Sequence, residues 1–306
     1  MPEESMPSTD ASRRDFLRTG AMVAAAGAVV AAATPSSAQN AGPAATAADR
    51  GPWPSAAGTT PSKKDPYTIA ARFNKFLRVT DVTDGLDAVG RADLTLMDPQ
   101  IRPLWMGMRF FGPAVTMRAV PTNQRMPIVK KEDALRQHPI WREMGGWHAD
   151  EGPHIKPGCV VVMSTGGAKE CGYFGSNNSL NLMSQGVAGI VTEGNCRDTD
   201  EVIMQKCNVA CRGIGRPIIP GRVELVDVEV PVGCGGVMVR PGDIVGCDWD
   251  GCLVIPIEVA EDVLAISARI AVDDKRSRRR IYDRMGRKPD ETVDWEAAQE
   301  WFKDLL

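Results

Sequence analysis

Two loops of this 306-residue chain contain side chains suited to binding a small acid. The first, residues 166–178, is rich in glycine and ends in Ser176, Asn177 and Asn178 at the predicted start of a helix, where free N–H groups form an anion site. The second holds the adjacent pair Arg197 and Asp198. Arg197 offers a planar fork of donors to a carboxylate or enolate oxygen, and Asp198 offers a hard oxygen to Mg²⁺ or Mn²⁺. Together they favour a small oxo acid as the ligand.

Both loops also have an ordinary structural interpretation. Asp198 is placed to cap a helix over residues 199–205, and Ser176 with Asn177 and Asn178 is typical helix-capping chemistry. The residues alone leave the binding site and the helix caps as open alternatives.

The apolar runs around these loops predict a mixed α/β sheet. Residues 158–163 are predicted as a strand, 180–185 as a short helix, and 187–191 as a buried strand that stops at Glu193-Gly194. This order of elements predicts parallel pairing of the two strands through a right-handed crossover. Parallel pairing would bring the two loops to one edge of the sheet.

The rest of the chain supplies the flanking elements. From residue 67, helical spacing predicts two helices, the second closed by Gly90. Residues 106–120 are predicted as a strand, a Gly-Pro turn and a second strand. A helix is expected over residues 257–270, followed by a charged tail with an amphipathic final helix.

Composition restricts the class of partner. The net charge of −3, with 43% hydrophobic and 25% charged residues, is typical of a globular protein without general attraction to nucleic acid or anionic lipid. The basic run at residues 275–280 has acidic flanks, so we interpret it as a solvated helix face or a subunit contact.

Cysteine and histidine are the other residues with metal or redox chemistry. The eight cysteines lie in apolar or glycine-rich runs, which favours buried free thiols over one or two disulfides. His138, His148 and His154 lie in an irregular segment, residues 121–157, that we interpret as a lid. A zinc site is the alternative, but the histidine spacings match no compact ligand motif.

The N-terminus resembles a twin-arginine export signal. Arg13-Arg14 precedes an uncharged, alanine-rich segment, and Ser36-Ser37-Ala38 offers a small-residue cleavage site. We therefore expect a signal peptide at 1–38, a flexible linker at 39–66, a main domain at 67–272 and a helical extension at 273–306. The resemblance implies export to the periplasm or beyond, without stable membrane insertion after the signal is removed.

Several segments in order resemble one family. Residues 186–201, which include Arg197-Asp198, the block 231–256, and residues 101–109 and 112–118 look like the 4-hydroxy-4-methyl-2-oxoglutarate aldolases, a family that includes the regulator of ribonuclease activity A. The resemblance spans roughly residues 80–270. It implies a single α/β domain of the swivelling β/β/α type, with a mixed sheet, flanking helices and a C-terminal helical tail. It also implies assembly as a homotrimer or homohexamer.

The resemblance also implies an activity and roles for residues. Its aldolases are lyases that use Mg²⁺ or Mn²⁺ to cleave a carbon–carbon bond in 4-hydroxy-2-oxo acids, and many also decarboxylate oxaloacetate. Asp198 matches the metal-binding aspartate and Arg197 the substrate-holding arginine. Ser176 stands where the aldolases place an acidic residue, twenty-one positions before that arginine. Glu170, or an acidic side chain of the lid or tail (Asp150, Glu151 or Asp273), is a candidate to replace it. A non-catalytic regulatory protein on the same scaffold, or a lyase or isomerase of different specificity, is therefore the alternative.

Overall fold

A computed structural model describes residues 64–125, 128, 130–132, 154–167 and 170–306. The predicted signal peptide and nearly all of the predicted linker lie outside these residues. So do most of the predicted lid, His138 and His148, whereas His154 is described and exposed. None of the described helices is long and apolar enough to cross a membrane.

Helices come first, as the apolar spacing predicts. Asp65 caps the first helix by accepting a hydrogen bond from the Thr68 N–H at 3.0 Å, and Pro66 occupies its first turn. Gly90 follows the second helix with φ +70°, a conformation that glycine adopts without strain. The described helices are α1 (Pro66–Phe76), α2 (Val79–Ala88), α3 (Ser176–Ser184), α4 (Thr199–Met204), α5 (Ala260–Arg284) and α6 (Trp295–Trp301).

One mixed sheet holds most of the strands. The strands, numbered in chain order, are β1 (Arg102–Pro103), β2 (Phe110–Pro121), β3 (Val160–Ser164), β4 (Gly172–Phe174), β5 (Gly189–Cys196), β6 (Val209–Ile214), β7 (Val223–Val228), β8 (Val232–Cys234), β9 (Val237–Val239), β10 (Ile244–Asp248) and β11 (Gly251–Ile255). Along the sheet they follow the order β1-β6-β5-β3-β2-β10-β11, with β4 beside β5 and β7 beside β2, while β8 and β9 form a separate hairpin. β3 and β5 pair in parallel, which confirms the predicted parallel pairing.

The predicted Gly-Pro turn is wrong, because β2 runs straight through Gly112 and Pro113. Both residues pair with β10, and the Ala114 N–H donates to the Asp243 carbonyl at 2.8 Å directly after the proline. A Cβ on Gly112 would lie 2.2 Å from the Gly158 carbonyl oxygen. The glycine therefore permits the close approach of a neighbouring backbone rather than a turn.

The sheet is nearly closed around an inner core. Side chains of β3 alternate, with Val160 and Val162 in the inner cluster and Val161 and Met163 in an outer one. Arg102 of β1 donates to the carbonyl oxygens of Trp249 and Asp250, which lie just before β11, so the two ends of the sheet path meet. α1, α2, α5 and α6 cover the outer face of β10 and β11, forming another core. The fold expected from the resemblance is thus confirmed as a mixed α/β domain with flanking helices.

The long C-terminal helix differs from the prediction. α5 continues fourteen residues beyond the expected end at residue 270, and the expected domain boundary at 272/273 falls within it. Arg276, Arg278 and Arg279 of the basic run pair with the helix's own Asp273, Asp274 and Asp283. These pairs at helical spacing stabilise a solvated face.

All eight cysteines are buried and free. Burial raises the pKa of Cys211 to about 11 and that of Cys196 to about 12, so both thiols stay protonated at neutral pH. The cysteines behave as small apolar core residues, as the sequence predicts.

Candidate functional site

Arg197 and Asp198 lie at the edge of the sheet, directly after the last residue of β5. The predicted strand end at Glu193-Gly194 is wrong, since β5 continues to Cys196. It does so because the short strand β4, which the sequence pattern did not reveal, pairs with its last residues, Phe174 opposite Cys196. The Arg197 N–H donates to the Phe174 carbonyl at 2.8 Å. The backbone of Arg197 is therefore held by a hydrogen bond that extends the pairing of β4 with β5.

Two glycines of the first loop make room for the arginine side chain. A Cβ on Gly172 would lie 2.5 Å from Cβ and Cγ of Arg197, and one on Gly175 would lie 2.6 Å from Asp198 Oδ2 and 3.2 Å from Arg197 Cγ. These distances are shorter than van der Waals contact, so a larger residue at either position would displace Arg197 or Asp198. Gly172 and Gly175 of the first predicted loop therefore contact Arg197 of the second, so the two loops lie side by side.

Asp198 faces the start of α3 rather than its own helix. Its Oδ1 accepts from Arg197 Nε at 3.1 Å, and its Oδ2 accepts from the Ser176 N–H at 3.3 Å. Although Asp198 occupies the N-cap position of α4, its side chain makes no capping hydrogen bond. The structure therefore does not support the helix-cap interpretation.

The backbone of Asp198 is in an uncommon conformation. Its φ of 52° and ψ of 37° lie in the left-handed region, which aspartate tolerates better than most residues with a side chain. Lys206 and Glu229 also have a positive φ, so this conformation does not by itself mark a functional site. Arg197 and Asp198 each keep about a third of their side-chain surface exposed, at 32% and 34%, so both remain open to a ligand.

The first turn of α3 lies next to this pair. Its N-cap residue is Gly175, which has no side chain that could accept a hydrogen bond from the first N–H groups of the helix. Ser176 is buried and its N–H is already directed at Asp198, whereas Asn177 and Asn178 are exposed. The N–H groups of Asn177 and Asn178 make no hydrogen bond within the described parts of the chain. Two free donors therefore accompany the guanidinium and the carboxylate.

Glu193 is a residue that the sequence analysis treated only as a strand end. Its Oε1 accepts from the Thr165 N–H at 3.0 Å, and its Oε2 accepts from the Gly235 N–H at 3.2 Å. One half-buried carboxylate thus links the end of β3, the strand β5 and the β8–β9 hairpin. Its signal in the sequence is an acidic residue beside a glycine, after an apolar run and four positions before Arg197.

The acidic residues considered as replacements for the one missing at Ser176 have other roles or are not described. Glu170 pairs with Arg216 through an exposed salt bridge of 2.5 Å. Asp273 pairs with Arg269 and Arg276 on α5. Asp150 and Glu151 lie outside the described residues. Glu170 and Asp273 are thus engaged in ion pairs of their own.

The metal assignment depends on Asp198. Within residues 64–125, 154–167 and 170–306, no group of three or more His, Cys, Asp or Glu side chains is arranged to hold a metal. One carboxylate nevertheless fits Mg²⁺, which keeps several waters and commonly binds through one or two carboxylates together with substrate oxygens. Each Asp198 oxygen accepts one hydrogen bond and keeps lone-pair capacity for an ion.

This chain is similar to several proteins that are named as aldolases. The protein of Halalkalibacterium halodurans named "Putative 4-hydroxy-4-methyl-2-oxoglutarate aldolase" is 28% identical over 204 residues, 67% of this chain and 84% of that protein. The protein of the same name from Deinococcus radiodurans is 29% identical over 184 residues, 60% of this chain and 97% of that protein. Protein DlpA of Legionella pneumophila is 27% identical over 196 residues, and this chain spans only 29% of its length.

Solved structures show the same fold. An uncharacterized protein from Pseudomonas syringae pv. tomato aligns with TM-score 0.56 at 24% identity, covering 76% of this chain and 96% of that one. Streptomyces coelicolor RraAS2, described as an unusual member of the RNase ES inhibitor RraA protein family, aligns with TM-score 0.54 at 23% identity, covering 69% and 96%.

The family model described as Aldolase/RraA matches residues 79–254, which contain the whole of this site. The chain therefore belongs to the RraA-like family.

Proposed function

We propose that this protein is a divalent-metal-dependent lyase that cleaves a carbon–carbon bond in a 4-hydroxy-2-oxo acid or a related small oxo or sugar acid. The observation that carries the proposal is the contact of Asp198 with both Arg197 Nε and the Ser176 N–H at the start of α3. This contact brings an arginine, a carboxylate and the free N–H groups of Asn177 and Asn178 into one site. Relatives named as aldolases support the same class of reaction.

The chain's own residues would bind and orient the substrate. The carboxylate of the substrate accepts from the N–H groups of Asn177 and Asn178, at the positive end of the α3 dipole. The oxo oxygen accepts from the Arg197 guanidinium. Asp198 would hold Mg²⁺ or Mn²⁺, which supplies Lewis-acid polarisation of that oxygen when bound.

The bond between C3 and C4 then breaks as the 4-hydroxyl gives its proton to water, because position 176 holds no carboxylate to accept it. The electron pair of the bond passes to C3 and the oxo oxygen, and Arg197 stabilises the negative charge of the resulting enolate by directed hydrogen bonds. Water then returns a proton to C3, which completes the pyruvate-type product, and the other fragment leaves with a new carbonyl. The same arrangement would support decarboxylation of oxaloacetate, in which carbon dioxide leaves and an identical enolate forms.

The second candidate is a non-catalytic binding or regulatory protein on the same scaffold. Ser176 favours it, because a serine cannot replace the carboxylate that the aldolases have at this position for proton transfer. The two candidates differ in one measurable property. A lyase releases pyruvate when a divalent metal is present, whereas a binding protein does not.

Metal dependence tests the role of Asp198. We expect EDTA to abolish pyruvate release from a panel of 4-hydroxy-2-oxo acids and oxaloacetate, and Mn²⁺ to restore it. Asp198→Asn should lower the rate by about a hundredfold, because a neutral amide is a weak ligand for a hard cation. The assay couples pyruvate to NADH oxidation, with Mn²⁺ binding followed by electron paramagnetic resonance. Asp200→Asn is the control, since Asp200 is an exposed carboxylate two residues away. If Asp198→Asn and Asp200→Asn bind Mn²⁺ equally well, Asp198 is not the metal ligand.

Restoring the acid tests the second candidate. We expect Ser176→Asp to release pyruvate about tenfold to a hundredfold faster than wild type, because positioned acid–base groups typically contribute at least this much. Ser176→Asn is the matched control of similar size without charge. If the Asp and Asn variants have the same rate in the coupled assay, proton transfer is not what limits this protein, and the binding protein becomes the better interpretation.

A further inference from the structure

A cavity of about 330 Å³ lies in the helical layer, between the end of α1, the start of α2 and α5. Arg197 and Asp198 do not line it. The residues that line it include five cationic ones, Lys75, Arg78, Arg109, Lys275 and Arg278, and two acidic ones, Asp81 and Glu291. We call this group the cationic cavity. Such an excess of positive charge in a concave site attracts anions.

Lys275 is the buried centre of the cationic cavity. Only 8% of its surface is exposed, although lysine is almost never fully buried without an ionic partner. Its Nζ donates to the Glu291 carbonyl at 2.7 Å and lies 5.6 Å from the Phe76 ring. Burial, followed by the nearby charge of Arg278, lowers the pKa of Lys275, and the opposing attraction of Asp294 and Asp81 does not offset this effect. The buried ammonium is therefore incompletely compensated.

Two further cations of the cavity have neutral contacts. Arg109 donates from Nη2 to the Lys75 carbonyl at 3.3 Å, and Lys75 Nζ lies 4.3 Å from the Trp301 ring centre. Among the described residues, neither of these side chains nor Lys275 forms an ion pair. In contrast, Arg78 pairs with Asp81 at 2.5 Å, and Arg278 pairs with Asp274 at 3.1 Å. Three of the five cations therefore remain available to a ligand.

We propose that the cationic cavity binds a small anion carrying two or more negative charges on carboxylate or phosphate groups. Arg109 supplies a fork of donors, and Lys75 and Lys275 supply ammonium groups. The anion would compensate the buried charge of Lys275. It would also link α1, α2 and α5, raising the thermal midpoint of the folded protein by mass action. The proposal is independent of the reaction proposed for Arg197 and Asp198.

Isothermal titration calorimetry of the full-length protein with citrate, and separately with inorganic phosphate, tests this site. Both titrations use EDTA and constant ionic strength, so that metal chelation and screening do not contribute. We expect binding in wild type, with the preferred probe distinguishing carboxylate from phosphate. Arg109→Gln and Lys275→Met should each weaken binding by about tenfold or more, because a charged hydrogen bond is lost. Arg109 is exposed, so its variant keeps the test valid if Lys275→Met does not fold.

Two control variants show whether the anion binds in the cationic cavity or elsewhere on the protein. Lys303→Gln, which removes an exposed cation outside the cavity, should bind as wild type does. Arg212→Ala, which removes a partly exposed arginine that pairs with Asp98, should also retain full binding, because Arg212 does not line the cavity. The proposal is overturned if neither anion binds at millimolar concentration, if Arg109→Gln keeps wild-type affinity, or if Arg212→Ala weakens binding as much as Arg109→Gln does.

Discussion

We expect Arg197→Ala to release pyruvate about 100- to 1000-fold more slowly than wild type, measured as initial rates with saturating Mn²⁺. Removing one preorganised donor to a developing oxyanion typically has an effect of this size. The expected loss is in kcat more than in KM, because the guanidinium binds the enolate more strongly than the ground-state oxo group. The N–H groups of Asn177 and Asn178 would still hold the substrate carboxylate.

Arg197→Lys refines this prediction. Lysine keeps the positive charge but lacks the planar fork that reaches both Asp198 and a substrate oxygen, so we expect most of the loss to remain. Arg212→Ala is the matched control, since Arg212 is a partly exposed arginine that pairs with Asp98 at 3.0 Å. If Arg197→Ala releases pyruvate at the wild-type rate from every substrate of the panel, the reaction does not take place at this site.

We expect Gly112→Ala to destabilise the fold by about 3 kcal/mol. The added Cβ would lie 2.2 Å from the Gly158 carbonyl oxygen and 3.0 Å from Val160 Cγ2, and the closer of these neighbours is backbone. Inserting one methyl group into a tightly packed core typically costs about 1–3 kcal/mol, and a backbone contact relaxes least. The thermal midpoint should fall by about 6–12 °C for a domain of this size.

Gly233→Ala is the control for this second prediction. Gly233 also lies in a strand, but it is exposed, and a Cβ there would meet no atom within 4 Å. Thermal unfolding of wild type and both variants, followed by circular dichroism, should therefore change only for Gly112→Ala. Equal midpoints for all three proteins would show that β3 and its preceding turn can move away from β2 at little cost.

Much of the fold was predictable because its signals are local. The alternation along β3, the helical spacing of α1 and α2, and the order of elements around β5 follow from neighbouring residues. The errors occurred where a distant segment decides the local structure. Gly112-Pro113 has the composition of a turn, yet β10 and β3 extend it as a strand. β5 outlasts its apolar run because β4 pairs with its end.

The sequence by itself determined the family motif, the Arg197-Asp198 pair and the glycine-rich loop that accompanies it. Only the tertiary structure decided that Asp198 faces Ser176 instead of capping α4, that Glu193 joins three elements, and that cations from α1, α2 and α5 surround one cavity. The physical reason is the same in each case. These contacts join residues from separate elements of the chain, so they depend on how the nearly closed sheet and its helices pack, and no local periodicity encodes that packing.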